Sequence, residues 1–168
     1  GVIGVDQDRE ALDVAGRRLS RFGDRVKLVH ANFADAAESE AAPLAGALLD
    51  LGVSSHQIDD ASRGFTFRSG APLDMRMSTS ATLTAANLLN TLPESELADV
   101  FYRYGEERRS RRLAAAVVRR RADSPFVTSD DFNEILERFY GPRITVQDRA
   151  RMYQSLRIAV NDELEVLV

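Results

Sequence analysis

The chain has 168 residues, 44% hydrophobic and 29% charged, with a formal net charge of −4, values that fit one ordinary globular domain or one domain carrying a small insertion. No apolar run approaches the roughly 18 residues of a membrane helix, and the absence of cysteine excludes disulfides and thiolate metal sites and favours the cytosol. The acidic total conceals a basic window: Lys27 is the only lysine among 22 basic residues, and residues 103–121 hold eight Arg against two Glu, a local pattern suited to a phosphate backbone.

In chain order, Val2–Val5 reads as a buried strand followed by Asp6. From Asp8, the spacing of Leu12, Ala15, Leu19 and Phe22 predicts a helix with one apolar face, ended by Gly23 and Asp24. Val26–His30 reads as the next strand, with Asn32 and Phe33 just past it. A helix is expected near residues 35–42, then a third strand over Gly46–Leu51. Alternating strands and helices with short links predict parallel strands in an α/β fold.

Residues 50–77, DLGVSSHQIDDASRGFTFRSGAPLDMRM, break that pattern. A polar stretch this long inside a compact domain is usually functional or disordered. Phe65, Phe67, Leu73, Met75 and Met77 call for burial, so an ordered loop at the end of a strand is expected, where α/β proteins bind ligands.

Beyond the loop only helices are predicted. Leu83, Ala86 and Leu89 mark one. Thr91-Leu-Pro-Glu94 reads as a capping box opening a second through Leu97, Val100, Phe101 and Tyr104. The Arg-rich window carries a third, with Leu113, Ala116 and Val117 inward. Thr128-Ser-Asp-Asp131 caps a fourth, with Phe132, Ile135, Leu136 and Phe139 on its face, and Gly141–Pro142 breaks it. A last helix runs through Met152, Leu156, Val160 and Leu164. The chain enters a strand at once, without Met or a targeting signal, and stops without a cap. Three strands would leave open sheet edges. All three features point to a piece of a longer protein.

Several residues could carry chemistry. A carboxylate at the position of Asp6 can accept ribose hydroxyls of a nucleotide-like cofactor, or Asp6 or Asp8 caps the following helix. Phe33 could pack on an adenine face with Asn32 at its edge, or be a core Phe beside a turn. Asp50, at the end of the expected third strand, would be costly to bury unpaired. It could accept from a ligand ammonium, from an amino group about to be alkylated, or from nearby backbone N–H groups. No G-x-S-x-G elbow is present, and His56 has no partner at metal spacing. Asp59, Asp60 and Asp74 fix no cation geometry. Arg63, Arg68 and Arg76 could meet phosphates or pair with these Asp residues.

The pattern DLGVSS-x-Q-x-DD-x-x-RGF-x-FR, followed by PLDMRM, resembles the signature loop of the RsmH (MraW) methyltransferases. These use S-adenosylmethionine to methylate the exocyclic N4 of a cytidine in bacterial 16S ribosomal RNA. Tyr104-Gly-Glu-Glu-Arg108 with the Arg run after it, and Leu156 to Leu164, agree in the same order along the chain. The resemblance implies part of a class I, Rossmann-like methyltransferase sheet with an all-helical insertion. Residues 1–78 would hold its second to fourth strands and the loop, 79–145 the insertion, and 146–168 a helix returning to the core. It implies cofactor contacts by Asp6, Phe33, Asp50 and Gln57. The first strand, with the Gly-Gly-His loop for the methionine end, would lie outside this sequence, so these residues alone are expected to be inactive. Two departures stand out: His56 replaces the family's usual Pro, and Arg149-Ala-Arg-Met-Tyr-Gln154 replaces a His-Pro-Ala-Thr-Arg stretch.

On this reading Asp50 either orients the reacting amine or holds the cofactor's ammonium, and Arg63, Arg68, Arg76, Arg108, Arg111 and Arg112 face the RNA, in 16S ribosomal RNA or the small ribosomal subunit, in the cytoplasm. No membrane contact and no metal is expected. Two rivals remain: a nucleotide- or NAD-binding Rossmann oxidoreductase, which Asp6 would also serve, and a non-enzymatic RNA-binding helical module.

Overall fold

A computed structural model describes residues 1–32, 35, 44–50, 52–78 and 81–164. The chain divides into two compact units, Gly1–Gly52 with Met77–Ala81 and Leu164–Val168, and Val53–Arg76 with Thr82–Glu163.

In the first unit, β1 (Val2–Asp6) and β2 (Val26–His30) pair in parallel, in register from Val2 opposite Val26 to Asp6 opposite His30. Their β-branched runs suit a pleated, half-buried surface. Between them lie α1 (Arg9–Leu19) and a 3₁₀ turn over Ser20–Arg25. Asp8 caps α1, its carboxylate accepting the Glu10 N–H at 3.0 Å. The helix expected near residues 35–42 lies outside the described residues.

The third strand over Gly46–Leu51 is not formed: Gly46–Asp50 has no strand pairing, and Leu51 lies outside the described residues. A strand exists only through a partner's ladder. Among the described residues β1 pairs only with β2, so the run 46–50 has no neighbour, and Leu48 stands 94% exposed.

The second unit is helical from the loop onward: α2 (Ser55–Asp59), a 3₁₀ turn (Ala61–Arg63), α3 (Ala85–Thr91), α4 (Glu94–Arg103), α5 (Ser110–Asp123), α6 (Ser129–Tyr140) and α7 (Val146–Asn161). Its core joins Leu97 and Phe101 of α4, Leu113 and Val117 of α5, Phe132 and Leu136 of α6, and Met152 and Leu156 of α7. Leu73 and Met75 of the loop are buried in the same core, which answers the expectation of an ordered loop.

Local details correct three helix readings. Leu83 precedes α3 and is exposed, because the helix starts at a Thr84–Asn87 capping box and turns Ala85, Leu88 and Leu89 inward. Thr91 does not cap α4. Its hydroxyl donates to the Asn87 carbonyl one turn back at 2.8 Å, and α4 opens after Pro93 without a side-chain cap. That back-bond is an ordinary alternative for a threonine within a helix. Leu164 lies beyond α7, which ends where Asp162 turns left-handed.

Candidate functional site

The parallel register of β1 and β2 places Asp6 and Ala31–Asn32 at one edge, the carboxyl ends of both strands, with the Ala31 N–H donating to the Asp6 carbonyl at 3.2 Å. The Asp6 side chain is exposed, and its Oδ1 accepts the Asp8 N–H at 2.7 Å. Asp8 therefore does the helix capping. A carboxylate has about four acceptor positions, so Asp6 retains capacity for the hydroxyl groups of a ribose. Phe33 lies outside the described residues. Asp50 is exposed rather than buried at a strand end, because among the described residues the run before it pairs with no strand.

In the helical unit Gln57 is buried, and its Oε1 accepts the Ser54 N–H at 2.9 Å while Ser54 Oγ accepts the Gln57 N–H at 3.3 Å. This reciprocal pair is a capping box at the start of α2. The pattern Ser54-x-x-Gln57 carried that signal in the sequence, ahead of a helix too short to be read from periodicity.

The loop then folds back on itself. Met75 N–H donates to the Arg63 carbonyl at 3.1 Å, and the Arg63 guanidinium donates to the Arg76 carbonyl at 3.3 Å. Arg63 and Arg76 are thus brought together. Arg76 grips Asp74 with two forked bonds of 2.7 Å each, so of the two roles open to it, pairing with an Asp is the one it has here. Burial pushes the Asp74 carboxyl up, but the Arg76 side chain, its backbone N–H and its charge outweigh that and hold Asp74 below the usual carboxylate range. Arg68 is exposed, and its carbonyl accepts the Ser129 hydroxyl at 2.6 Å.

Met75, between the members of that ion pair, is buried with φ of 63°. A non-glycine residue held left-handed costs about 1–3 kcal/mol and persists only where its surroundings fix it. Here the Asn161 amide donates to the Met75 carbonyl at 2.8 Å, tying α7 to the loop. Asp74 and Leu73 carbonyls accept from Ala85 and Ala86 at 2.9 and 2.7 Å. The sequence offered no sign of the Asn161 contact beyond its place in the Leu156–Leu164 segment.

The basic window is sorted by its helices. Arg121 donates to the Leu89 and Leu92 carbonyls at the end of α3, at 3.0 and 2.7 Å. Arg120 pairs with Asp131 at 2.7 Å, donates to the Ser124 carbonyl and lies over the Phe126 ring. Arg109 stacks on Phe139 at 4.5 Å and donates from its backbone to Glu107 at 2.8 Å. Glu107 is buried and also accepts a short bond from the Tyr140 hydroxyl. Burial pushes its carboxyl up, but the Tyr140 and Arg109 bonds and the Arg109 charge hold it below its ordinary range. The Glu107 of Tyr104-Gly-Glu-Glu-Arg108 is therefore a latch between the α4–α5 turn and α6. Arg108, Arg111, Arg112 and Arg119 are exposed and have no ion-pair partner among the described residues.

Asp6 and Asp50 fall in the first unit, and Gln57 and the arginines of the loop and helices in the second. Among the described residues no group of three His, Asp or Glu is placed to hold a metal ion, and no helix is long and apolar enough to cross a membrane.

The chain is similar to proteins named ribosomal RNA small subunit methyltransferase H. It is 50% identical over 173 residues to that of Syntrophotalea carbinolica, covering 99% of this chain and 55% of the relative. To that of Gemmatimonas aurantiaca it is 50% identical over 171 residues, covering 99% and 54%. To that of Mycobacterium marinum it is 46% identical over 173 residues, covering 97% and 44%. The chain spans about half the length of these relatives. The MraW methylase family matches residues 1–168, the whole of the sequence, and with the signature loop and helical segments as described, the chain belongs to that family.

Proposed function

We propose that the chain is part of an enzyme that methylates the exocyclic N4 of a cytidine in 16S ribosomal RNA, using S-adenosylmethionine, in the cytoplasm. The observation that carries this reading is the family match along the whole chain, joined to an exposed Asp6 carboxylate at the carboxyl ends of two parallel strands. That edge is where open α/β sheets bind ligands.

S-adenosylmethionine supplies an activated methyl on a sulfonium. Asp6 would hold its ribose hydroxyls, Phe33 its adenine, and Gln57 a further polar contact beside the capping box it forms. Cytosine N4 is a poor nucleophile because its lone pair is delocalised into the ring. A fixed acceptor at N4 favours the pyramidal, reactive amine and receives its proton. Asp50 is the residue assigned to that acceptor. The target base has to leave its stack to reach such a site, and Arg63, Arg68, Arg76, Arg108, Arg111 and Arg112 would steady the surrounding RNA. Arg76 would do so while paired with Asp74, which leaves the RNA a partly neutralised partner.

The test is Asp50→Ala in a protein carrying this chain at the full length of its relatives. The variant should stay folded and lose methyl transfer, whereas near wild-type turnover would refute the role of Asp50. Residues 1–168 alone should transfer little. An NAD-linked enzyme would instead be stabilised against heat by NAD and not by S-adenosylhomocysteine.

A further inference from the structure

The peptide between Met75 and Arg76 is gripped on both sides. Its carbonyl accepts the Asn161 amide at 2.8 Å, and its N–H donates to Asp74 Oδ1 at 3.1 Å. The left-handed turn at Met75, with φ of 63°, presents the two groups in these directions. The Met75 side chain is buried and its N–H donates to the Arg63 carbonyl at 3.1 Å, so relaxing the turn would displace both. Strained backbone held this way clusters at functional sites.

What that peptide controls is Arg76. Asp74 Oδ1 accepts the Arg76 backbone N–H and also its Nε, at 3.1 and 2.7 Å, while Oδ2 accepts Nη2 at 2.7 Å. One carboxylate thus couples the direction of the guanidinium to the plane of its own backbone peptide. Asn161 fixes that plane from the last residue of α7, and its Nδ2 also donates to the Arg157 carbonyl one turn back at 2.9 Å. Both acceptors are carbonyls, so the place requires two donor hydrogens on one short side chain. An amide has them. An aspartate of the same shape has none and would set a carboxylate against two carbonyl oxygens. The helix end is itself braced by the forked Arg157–Glu163 pair at 2.8 and 3.0 Å.

We propose that Asn161 is a positioning residue for the methylation reaction: through the Met75–Arg76 peptide it sets the aim of the Arg76 guanidinium at the strand carrying the target base. The proposal rests on the RNA-methylation reading above and adds to it a residue that itself touches neither RNA nor cofactor. The physical reason is geometric. With the Asn161 bond gone, the Met75 carbonyl has no reason to face α7, the peptide can rotate, and the Asp74–Arg76 fork turns with it. A group that orients a substrate and is misplaced by about 1 Å can lose about a hundredfold in rate.

The test is a double-mutant cycle of Asn161→Asp and Arg76→Gln in a protein carrying this chain at the full length of its relatives. It reads kcat/KM for methyl transfer to small ribosomal subunits, the dissociation constant for those subunits, the affinity for S-adenosylhomocysteine and the melting temperature. Asn161→Asp alone should lower kcat/KM at least about tenfold, with S-adenosylhomocysteine affinity within about twofold of wild type. In the Arg76→Gln background the same substitution should lower kcat/KM by less than about twofold, because the group it aims is already gone, while still lowering the melting temperature. Losses in kcat/KM that simply multiply would overturn the assignment, as would a matching fall in S-adenosylhomocysteine affinity. Glu163→Gln loosens the same helix end without touching the Met75 bond, so it should lower the melting temperature and leave kcat/KM unchanged; an equal loss of kcat/KM would also overturn the proposal. If Asn161→Asp does not fold, Asn161→Ser decides: its hydroxyl bonds back to the Arg157 carbonyl and leaves the Met75 carbonyl unheld, so the catalytic loss should recur, and wild-type kcat/KM would refute the role. Wild-type protein that binds small subunits without transferring methyl sinks the methylation reading alone, and the cycle is then read in the dissociation constant. Transfer by the wild type with kcat/KM unmoved in Asn161→Asp sinks the positioning role alone.

Discussion

Gly64, in the Arg-Gly-Phe segment of the loop, offers the sharpest prediction. It has φ of +75°, and a Cβ there would stand 2.4 Å from the Pro72 carbonyl oxygen and 2.7 Å from the Asp74 nitrogen. Both neighbours are backbone, so no side-chain rotation relieves the clash. Alanine in the left-handed region costs about 1–2 kcal/mol, and forcing a methyl into a filled space adds about 1–3 kcal/mol. Gly64→Ala should therefore destabilise the protein by roughly 2–5 kcal/mol, a large share of the 5–15 kcal/mol typical of a domain. Gly70, six residues on, has φ of +78° with nothing within 4 Å, so Gly70→Ala carries the conformational cost alone. Urea unfolding followed by circular dichroism should separate the two by about 1–3 kcal/mol. Hydrogen exchange should speed at the Met75 amide, which donates to the Arg63 carbonyl, in the Gly64 variant only. Equal destabilisation by both substitutions would refute the close approach of the two loop segments.

Arg121→Gln removes a cation from the α3 carboxyl end and at least one of its carbonyl bonds, and should cost about 1–3 kcal/mol, whereas Arg111→Gln on the exposed face should stay within about 0.5 kcal/mol. Thermal melts of the two variants check this. Glu107 and Asp74 both have carboxyls held below their ordinary values of 4.5 and 3.8. A group depressed on folding contributes stability that is complete above its unfolded value and drains as pH falls through the folded one. Glu107→Gln should therefore be less stable than wild type at pH 7, and the gap should narrow below about pH 4.5 in acid titrations of the melting temperature. A gap constant with pH would contradict the buried carboxylate.

What the sequence disclosed was what local chemistry decides. Val2–Val5 and Val26–His30 were legible because β-branched runs bounded by polar residues favour strands wherever they fall. The Thr128–Asp131 cap was legible because its partners lie within one turn, and the Asp131 carboxylate accepts the Thr128 N–H at 2.9 Å. Gly46–Leu51 was misread because an apolar run becomes a strand only beside another strand, and among the described residues β1 and β2 pair only with each other. Thr91 was misread because its hydroxyl had two partners within reach, and the helix behind it won over the one ahead. The arginine window read as a single stripe. Helical periodicity divides it: Arg120 and Arg121 are consumed by tertiary bonds, while Arg112 and Arg119 share a face that Arg138 completes from another helix. Asp50 was expected to be buried for the same reason the third strand was expected. Its proposed role stands on the family resemblance and on chemistry.

The most direct test of the account is the identity of the methylated atom. A protein carrying this chain at the full length of its relatives would be incubated with methyl-labelled S-adenosylmethionine and small ribosomal subunits. The 16S RNA would then be digested to nucleosides and read by mass spectrometry. Label on N4-methylcytidine, lost in Asp50→Ala, is the predicted result. Label on another atom or another nucleoside, or none with the wild type, would contradict it.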